Sequence, residues 1–227
     1  MQAQDRTDGW WFAPLRRFAV VTVLSWAMMG LYLFINHRQS AAVTTVEMPA
    51  WVPFCPWFLP PYEGLLLLTW FLPVALQDRN RFRACMRAYV CGWLLVVPWW
   101  VLTPTMLPRP PLPDGFWAHA FKWLWKIDQP YNVMPCAHAV GPIIAVWFVS
   151  REYPAWRWPL TIILLLALPS IALVWQHRPV DILLGAVAAG IGIAIAEAVV
   201  SRGRGRATLD GEEAGRGTAV APSGVDA

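Results

Sequence analysis

Apolar runs of near-membrane length alternate with short polar stretches along most of the chain. The runs fall at about 18–36, 58–77, 88–105, 136–150, 156–175 and 180–200. A hydrocarbon core about 30 Å thick takes roughly 20 helical residues to cross, so each run reads as a transmembrane helix, the fourth being short. The third contains Pro98 and the fourth Pro142, both tolerated where neighbouring helices satisfy the freed backbone groups. The first run exceeds the roughly 7–15-residue apolar core of a secretion signal. It is therefore expected to stay as an uncleaved span, with Ser40 and Ala42 as the alternative cleavage site. Between the runs lie a Trp- and Pro-rich interfacial loop at 37–57, a basic turn D-R-N-R-F-R at 78–83 and a polar, proline-rich stretch at 106–135. The pattern predicts an all-α polytopic membrane protein, a six-transmembrane-helix bundle without internal repeats. An N-terminal lead, first helix and interfacial loop occupy 1–57, and a membrane core occupies 58–200. A tail at 201–227, rich in Gly, Ala and charge, is expected to be disordered.

Composition agrees. Of 227 residues, 57% are hydrophobic and 14% charged, against about 25% charged in a soluble domain. Mean hydropathy is +0.44, and the 16 tryptophans suit the aromatic belts at a membrane's two interfaces. The net charge of +4 is spread over short loops, without the basic, aromatic face of a nucleic-acid binder. Cys55, Cys85, Cys91 and Cys136 show no metal-ligand spacing and read as packing residues rather than a disulfide framework. Of the 18 Lys and Arg, only Arg38, Arg109, Lys122, Lys126 and Arg178 fall in the loops after the first, third and fifth runs. The positive-inside rule then places both termini in the cytoplasm and those three loops on the far side of a cell membrane.

The far-side loops carry the candidate chemistry. The stretch 170–185 reads S-I-A-L-V-W-Q-H-R-P-V-D-I-L-L-G and holds Gln176, His177, Arg178 and Asp181 between apolar segments. A charge at the bilayer centre costs about 2.5–3.5 kcal/mol, so this cluster belongs at a membrane boundary or in a polar cavity. On one helix, His177 and Asp181 would share a face, about 6 Å apart along the axis. There the carboxylate could hold the imidazole in one tautomer; alternatively Asp181 caps the next helix. The 106–135 stretch adds Arg109, and Y-N-V-M-P-C-A-H at 131–138 adds His138, so Arg109, His138, His177 and Asp181 can converge at one membrane face. His37 and His119 read as interfacial. Arginine's planar fork suits a phosphate, one histidine can attack phosphorus, and the second can serve as general acid and base. No carboxylate cluster is available to hold Mg²⁺, so the scheme is metal-independent and needs no cofactor.

These residues resemble the type-2 phosphatidic acid phosphatase superfamily, whose motifs read K-x6-R-P, P-S-G-H and S-R-x5-H-x3-D. Arg109-Pro110 is similar to the end of the first motif and Pro135-Cys136-Ala137-His138 to the second. Ser170, His177 and Asp181, with Gly185 beyond, are similar to the third. Asn132, Pro135 and His138 resemble N-x-x-P-S-L-H of the inositol phosphorylceramide synthase-like branch. The resemblance covers about 60–200. It implies a six-helix core with its active site at the non-cytoplasmic face and a lipid phosphatase or phosphotransferase working through a phosphohistidine. His177 would be the nucleophile, Asp181 its partner and His138 the general acid/base. Arg109, Cys136, Asn132, Arg178 and Ser170 would surround the substrate phosphate. Leu102 and Ile171 replace the first motif's lysine and the third motif's arginine, and Cys136 replaces a serine donor. Arg178 either compensates in part or anchors the interface. Water as acceptor gives hydrolysis and an alcohol gives transfer. Trp117, Phe121, Trp123 and Trp125 fit a lipid headgroup site or a plain interfacial helix. The alternatives are a catalytically inactive scaffold of the same fold, or a haem protein with His138 and His177 as axial ligands.

Overall fold

The computed structural model describes residues 14–38, 43–112 and 114–217, with 203–217 by backbone alone. The first thirteen residues, the alternative cleavage site at Ser40 and Ala42, and 218–227 lie outside the described residues. The chain is almost wholly helical: α1 (Pro14–Asn36), α2 (Leu59–Phe71), α3 (Arg79–Leu102), α4 (Phe116–Ile127), α5 (Ala137–Glu152), α6 (Arg157–Ala167), α7 (Ser170–Leu173) and α8 (Pro179–Gly217). Among the described residues, five helical segments are long and apolar enough to cross a membrane: Pro14–Asn36, Pro56–Ala75, Arg79–Leu102, Pro154–Leu173 and Pro179–Arg202. Outward-facing Val23, Leu67, Leu94, Leu166 and Leu183 are exposed, as lipid-facing side chains of such a protein must be. The expected fourth span is α5, whose 16 residues reach about 24 Å at 1.5 Å per residue. It is the central helix, packed against α2, α3, α6 and α8.

Element ends follow local chemistry. The basic turn expected before the third span is instead the start of α3, because Asp78 caps it, accepting from Asn80 N–H at 2.8 Å and Arg81 N–H at 2.9 Å. Pro169 interrupts the fifth span between α6 and α7 because its ring cannot continue a helical ladder. Within 106–135, α4 buries Ala118, Phe121 and Leu124 and exposes Phe116 and Trp123, an amphipathic helix. In the tail expected to be disordered, the backbone is helical as far as Gly217; Ala207, Glu212, Glu213 and Ala214 are good helix formers.

The connections segregate to the two ends of the bundle. At one end, β1 (Thr44–Thr45) pairs in parallel with β2 (Thr105–Met106), Leu107 N–H donates to Pro130 O at 3.0 Å, and Cys55 N–H donates to Leu173 O at 2.8 Å. The loops after α1, α3 and α7 are thus laced together. At the other end, Gln77 N–H donates to Glu152 Oε1 at 2.6 Å and Tyr153 O–H to Ala75 O at 2.8 Å. The polar loops containing Arg109, Tyr131–His138 and Gln176–Arg178 all sit at the first end.

α8 reaches its neighbours by close backbone approach, as small residues allow between helices in lipid. A Cβ on Gly192 would lie 2.6 Å from Ala88 O, and one on Gly185 would overlap Cys136 O. Gly185 therefore sets how near α8 comes to the loop entering α5. Gly185→Ala should lower the melting temperature of detergent-purified protein by the equivalent of about 1–3 kcal/mol, the usual cost of overpacking. Gly190→Ala adds its methyl to open space and should melt at or slightly above the wild-type temperature. Equal melting of the two variants would refute the close approach at Gly185.

Candidate active site

Two chain reversals build the site. Asn132 takes a left-handed conformation (φ 58°), which Asn tolerates better than most residues. Its buried amide donates to Tyr32 O at 3.4 Å. Trp100 Nε1–H holds Pro135 O at 3.0 Å, which steadies the segment entering α5. Trp175 is also left-handed (φ 54°), a costly conformation for a bulky residue. Its turn folds the Gln176 and His177 N–H groups back onto Ile171 O at 3.1 and 3.4 Å. Cys136 N–H then donates to Asp181 O at 3.0 Å, joining the two segments.

The result is a direct pair of histidines. His177 Nδ1 lies 2.6 Å from Val133 O; a carbonyl only accepts, so Nδ1 carries the proton and Nε2 presents a lone pair. His138 Nδ1 lies 2.9 Å from that Nε2 and therefore donates to it. His138 Nε2, left as an acceptor, lies 2.9 Å from the Tyr62 hydroxyl. One relay of neutral groups satisfies every member: Tyr62 O–H to His138, His138 to His177, His177 to Val133. His177 is buried, and loss of water pushes its imidazole well below its ordinary value of 6.5, with His138 adding to the effect. It is thus a neutral base whose unprotonated nitrogen is held in place by the His138 N–H. The same contact counts against the haem alternative, because two nitrogens bonded to each other cannot ligate one iron from opposite faces.

A cation and a buried acid stand beside the pair. Arg109 donates through Nη1 to Gln176 Oε1 at 2.8 Å and through Nη2 to Asp128 O at 2.9 Å, and its guanidinium lies 5.6 Å from the Trp125 ring centre. Its Nε–H has no partner among the described residues. The Asp128 carboxylate accepts from the Tyr32 hydroxyl. Asn36 bonds Gln129 and Tyr131 O, at 3.1 and 3.0 Å, so the end of α1 fastens this loop. Tyr32, Asn36, Tyr62 and Asp128 carry no motif; the one signal in sequence was an acid at 128 in an aromatic segment just before Y-N-V-M-P-C-A-H. An apolar cavity of about 400 Å³ opens between α1, α2, α3 and α5, lined by Trp26, Tyr32, Leu67, Trp70, Trp93 and His138 among others.

Other expected site residues sit differently. Asp181 does not bond His177. Its Oδ2 accepts from Arg178 N–H at 2.8 Å and Nε–H at 3.0 Å, and its Oδ1 accepts from Arg178 Nη2 at 2.8 Å. The reason is Pro179, which starts α8 after His177, so the histidine and the aspartate never share a helical face. Asp181 is a capping acid in the first turn, and Arg178 is its partner. Ser170 is fully buried and donates to Ala167 O at 2.5 Å, which commits its proton within the α6–α7 bend. Cys136 is fully buried, and burial pushes its thiol up, so it stays protonated beside the histidines. Leu102 is 77% exposed at the end of α3, and Ile171 is fully buried. His37 and His119 are exposed and bond carbonyls of Leu33 and Gly115.

Asp181→Asn and Arg178→Gln should each cost about 1.5–3 kcal/mol, the range for a hydrogen bond to a charged group. The double variant should cost little more than either single one, because contacting partners couple. Thermal melts of the three variants decide; additive losses would show that the two do not act as one unit.

Set beside known proteins, the chain matches no protein-family model and no curated protein.

Proposed function

We propose that the chain is an integral membrane enzyme that removes or transfers the phosphoryl group of a phosphorylated lipid through a phosphohistidine at His177, without a metal ion. The observation that carries this reading is the pair itself. His177 Nε2 is a lone pair on a neutral, buried imidazole locked by Val133, and a second histidine faces it at 2.9 Å. A phosphate that parts this pair would meet both rings.

The chemistry follows from those positions. His177 Nε2 forms the P–N bond as the P–O bond to the lipid breaks, and His138, first charged to imidazolium by a proton gained when the substrate binds, delivers that added proton to the departing oxygen. In the second half, His138 takes a proton from water or an alcohol as that oxygen attacks phosphorus and the P–N bond breaks. Both histidines return to their starting state. Arg109 supplies positive charge for the phosphoryl oxygens, its unpartnered Nε–H being a ready donor. The 400 Å³ apolar cavity that His138 lines offers room for a lipid chain, which favours a lipid over a soluble phosphate ester.

This assignment follows the type-2 phosphatidic acid phosphatase pattern, with changes. The nucleophile is oriented by a backbone carbonyl where the pattern has an aspartate, and no cation stands at Leu102 or Ile171. The membrane arrangement we infer has six spans with α5 as the short fourth, both termini cytoplasmic and the histidines at the far face. A second reading, an inactive scaffold, is favoured by the engagement of both Arg109 Nη atoms and both Asp181 oxygens within the chain.

Detergent-purified protein with EDTA present should release phosphate from at least one of phosphatidic acid, an isoprenyl diphosphate or phosphatidylglycerophosphate, or transfer it when alcohols are supplied. His177→Ala should abolish the reaction, and His138→Ala should lower kcat by about 10²–10⁴-fold. Activity that survives His177→Ala would overturn the assignment; none with any substrate or acceptor would support the scaffold.

The pH profile tests the environment of the nucleophile. A histidine whose value is lowered stays neutral, and active, until pH falls through that lowered value. The acid limb of kcat/KM, which reports the free enzyme, should therefore lie below 6.5, the ordinary value. An acid limb above 6.5 would mean that His177 is not the desolvated base described.

A further inference from the structure

The thiol at 136 is the part of the site that phosphoryl transfer does not use. Its sulfur and one ring nitrogen each of His138 and His177 all lie within 4.8 Å of one another. We propose that Cys136, His138 and His177 form a binding site for zinc(II) or a similarly thiophilic ion.

Three features of the geometry carry this. First, the donor set is one sulfur and two imidazoles with no oxygen, which suits zinc and excludes the hard ions magnesium and calcium. Zn–S and Zn–N bonds of about 2.3 and 2.0–2.1 Å place tetrahedral donors roughly 3.3–3.6 Å apart. The nitrogens at 2.9 Å must part by a few tenths of an ångström and the sulfur must close by at most about one. Second, each imidazole has its other nitrogen held by oxygen: His177 Nδ1 by Val133 O at 2.6 Å and His138 Nε2 by the Tyr62 hydroxyl at 2.9 Å. That outer support is what metal-bound histidines almost always have. Third, three protein ligands leave a fourth position open, and His138 lines the 400 Å³ cavity through which water could fill it.

Binding requires limited proton movement. The Cys136 proton leaves to solvent and the sulfur binds as thiolate. The His138 proton shifts from Nδ1 to Nε2, and the Tyr62 hydroxyl turns from donor to acceptor. One proton is released per ion, and nothing is oxidised or reduced. With the ion in place neither facing nitrogen is free to act on phosphorus, so zinc would inhibit phosphoryl transfer. That consequence, unlike the binding, rests on the function proposed above.

The test uses full-length detergent-purified protein and cobalt(II), whose spectrum reports its ligands. Cobalt should produce a thiolate charge-transfer band in the near ultraviolet and visible d–d bands, saturating at one ion per chain and bleaching when zinc is added. Cys136→Ser should lose the charge-transfer band, His177→Gln should lose tight binding, and Tyr62→Phe should weaken binding about 10-fold. Cys85→Ser, which removes the other fully buried thiol, should leave the spectrum unchanged and controls for handling. Absence of the charge-transfer band in the wild type, or its persistence in Cys136→Ser, would overturn the site. Zinc added to the phosphate-release assay separates the two proposals. Bands with zinc-dependent release would uphold the metal site and sink the metal-free mechanism. No bands with EDTA-resistant, His177-dependent release would do the reverse.

Discussion

The segment from Tyr131 to Cys136 is clamped by the start of α8, and the whole candidate site depends on that clamp. Three contacts make it: His177 Nδ1–H on Val133 O, Cys136 N–H on Asp181 O, and the absence of a side chain at Gly185 where Cys136 O comes closest. Each joins residues about 45 positions apart in the chain. Together they bring the last loop before α8 against the loop that opens α5, and so bring His177 to His138. The contact is backbone on one side in every case, so it is insensitive to what side chain stands at Val133 or at Asp181's neighbours. A carbonyl also differs from a carboxylate as an orienting partner. It fixes the tautomer of His177 but adds no full negative charge, which leaves the imidazole neutral and its free nitrogen basic only to the extent that burial permits.

Burying so many polar groups at one end of an apolar bundle is costly unless each finds a partner. The protein meets this with a continuous network from the end of α1: Asn36 to Gln129 and Tyr131, Tyr32 to Asp128, and Arg109 to Asp128 O and Gln176. α1 is peripheral in the bundle, yet it supplies the two side chains that hold the 128–132 loop. The same economy explains the Asp181–Arg178 pair, which satisfies a buried carboxylate and caps α8 at once. Arg109 Nε–H and Gln176 Nε2 are left without partners among the described residues of this network.

Much of this was readable in the chain itself. Long apolar runs are visible because lipid imposes one requirement on every spanning helix, and loop order alone gathered Arg109, His138 and His177 at one end. The fourth run is short in sequence, and α5, its 16 residues mostly buried, falls below the length of the five segments that are long and apolar enough to cross a membrane. The start of α3 was misplaced, because a basic run reads as a turn until the Asp78 cap is seen. For Asp181 the structure shows the cap on the next helix, the other reading being a face shared with His177 at a spacing of four. Pro179 breaks that inference by starting the helix between them. Ser170 was read by position in a motif, whereas its hydroxyl is committed to Ala167 O.

By itself, the sequence determined the class of solvent, the apolar segments, the polar loops and the residue types available for chemistry, because these are consequences of composition and local pattern. Tertiary structure alone decided which atoms meet. That His177 Nδ1 faces Val133 O, that its Nε2 faces His138 Nδ1, that Tyr62 completes the relay and that Cys136 sulfur lies beside both rings are facts of long-range packing. A hydrogen bond to a backbone carbonyl leaves no trace in residue identity, since every residue carries one. Such partners are chosen by where helices cross, and here the crossing is set by the close approach of α8 at Gly185 and Gly192.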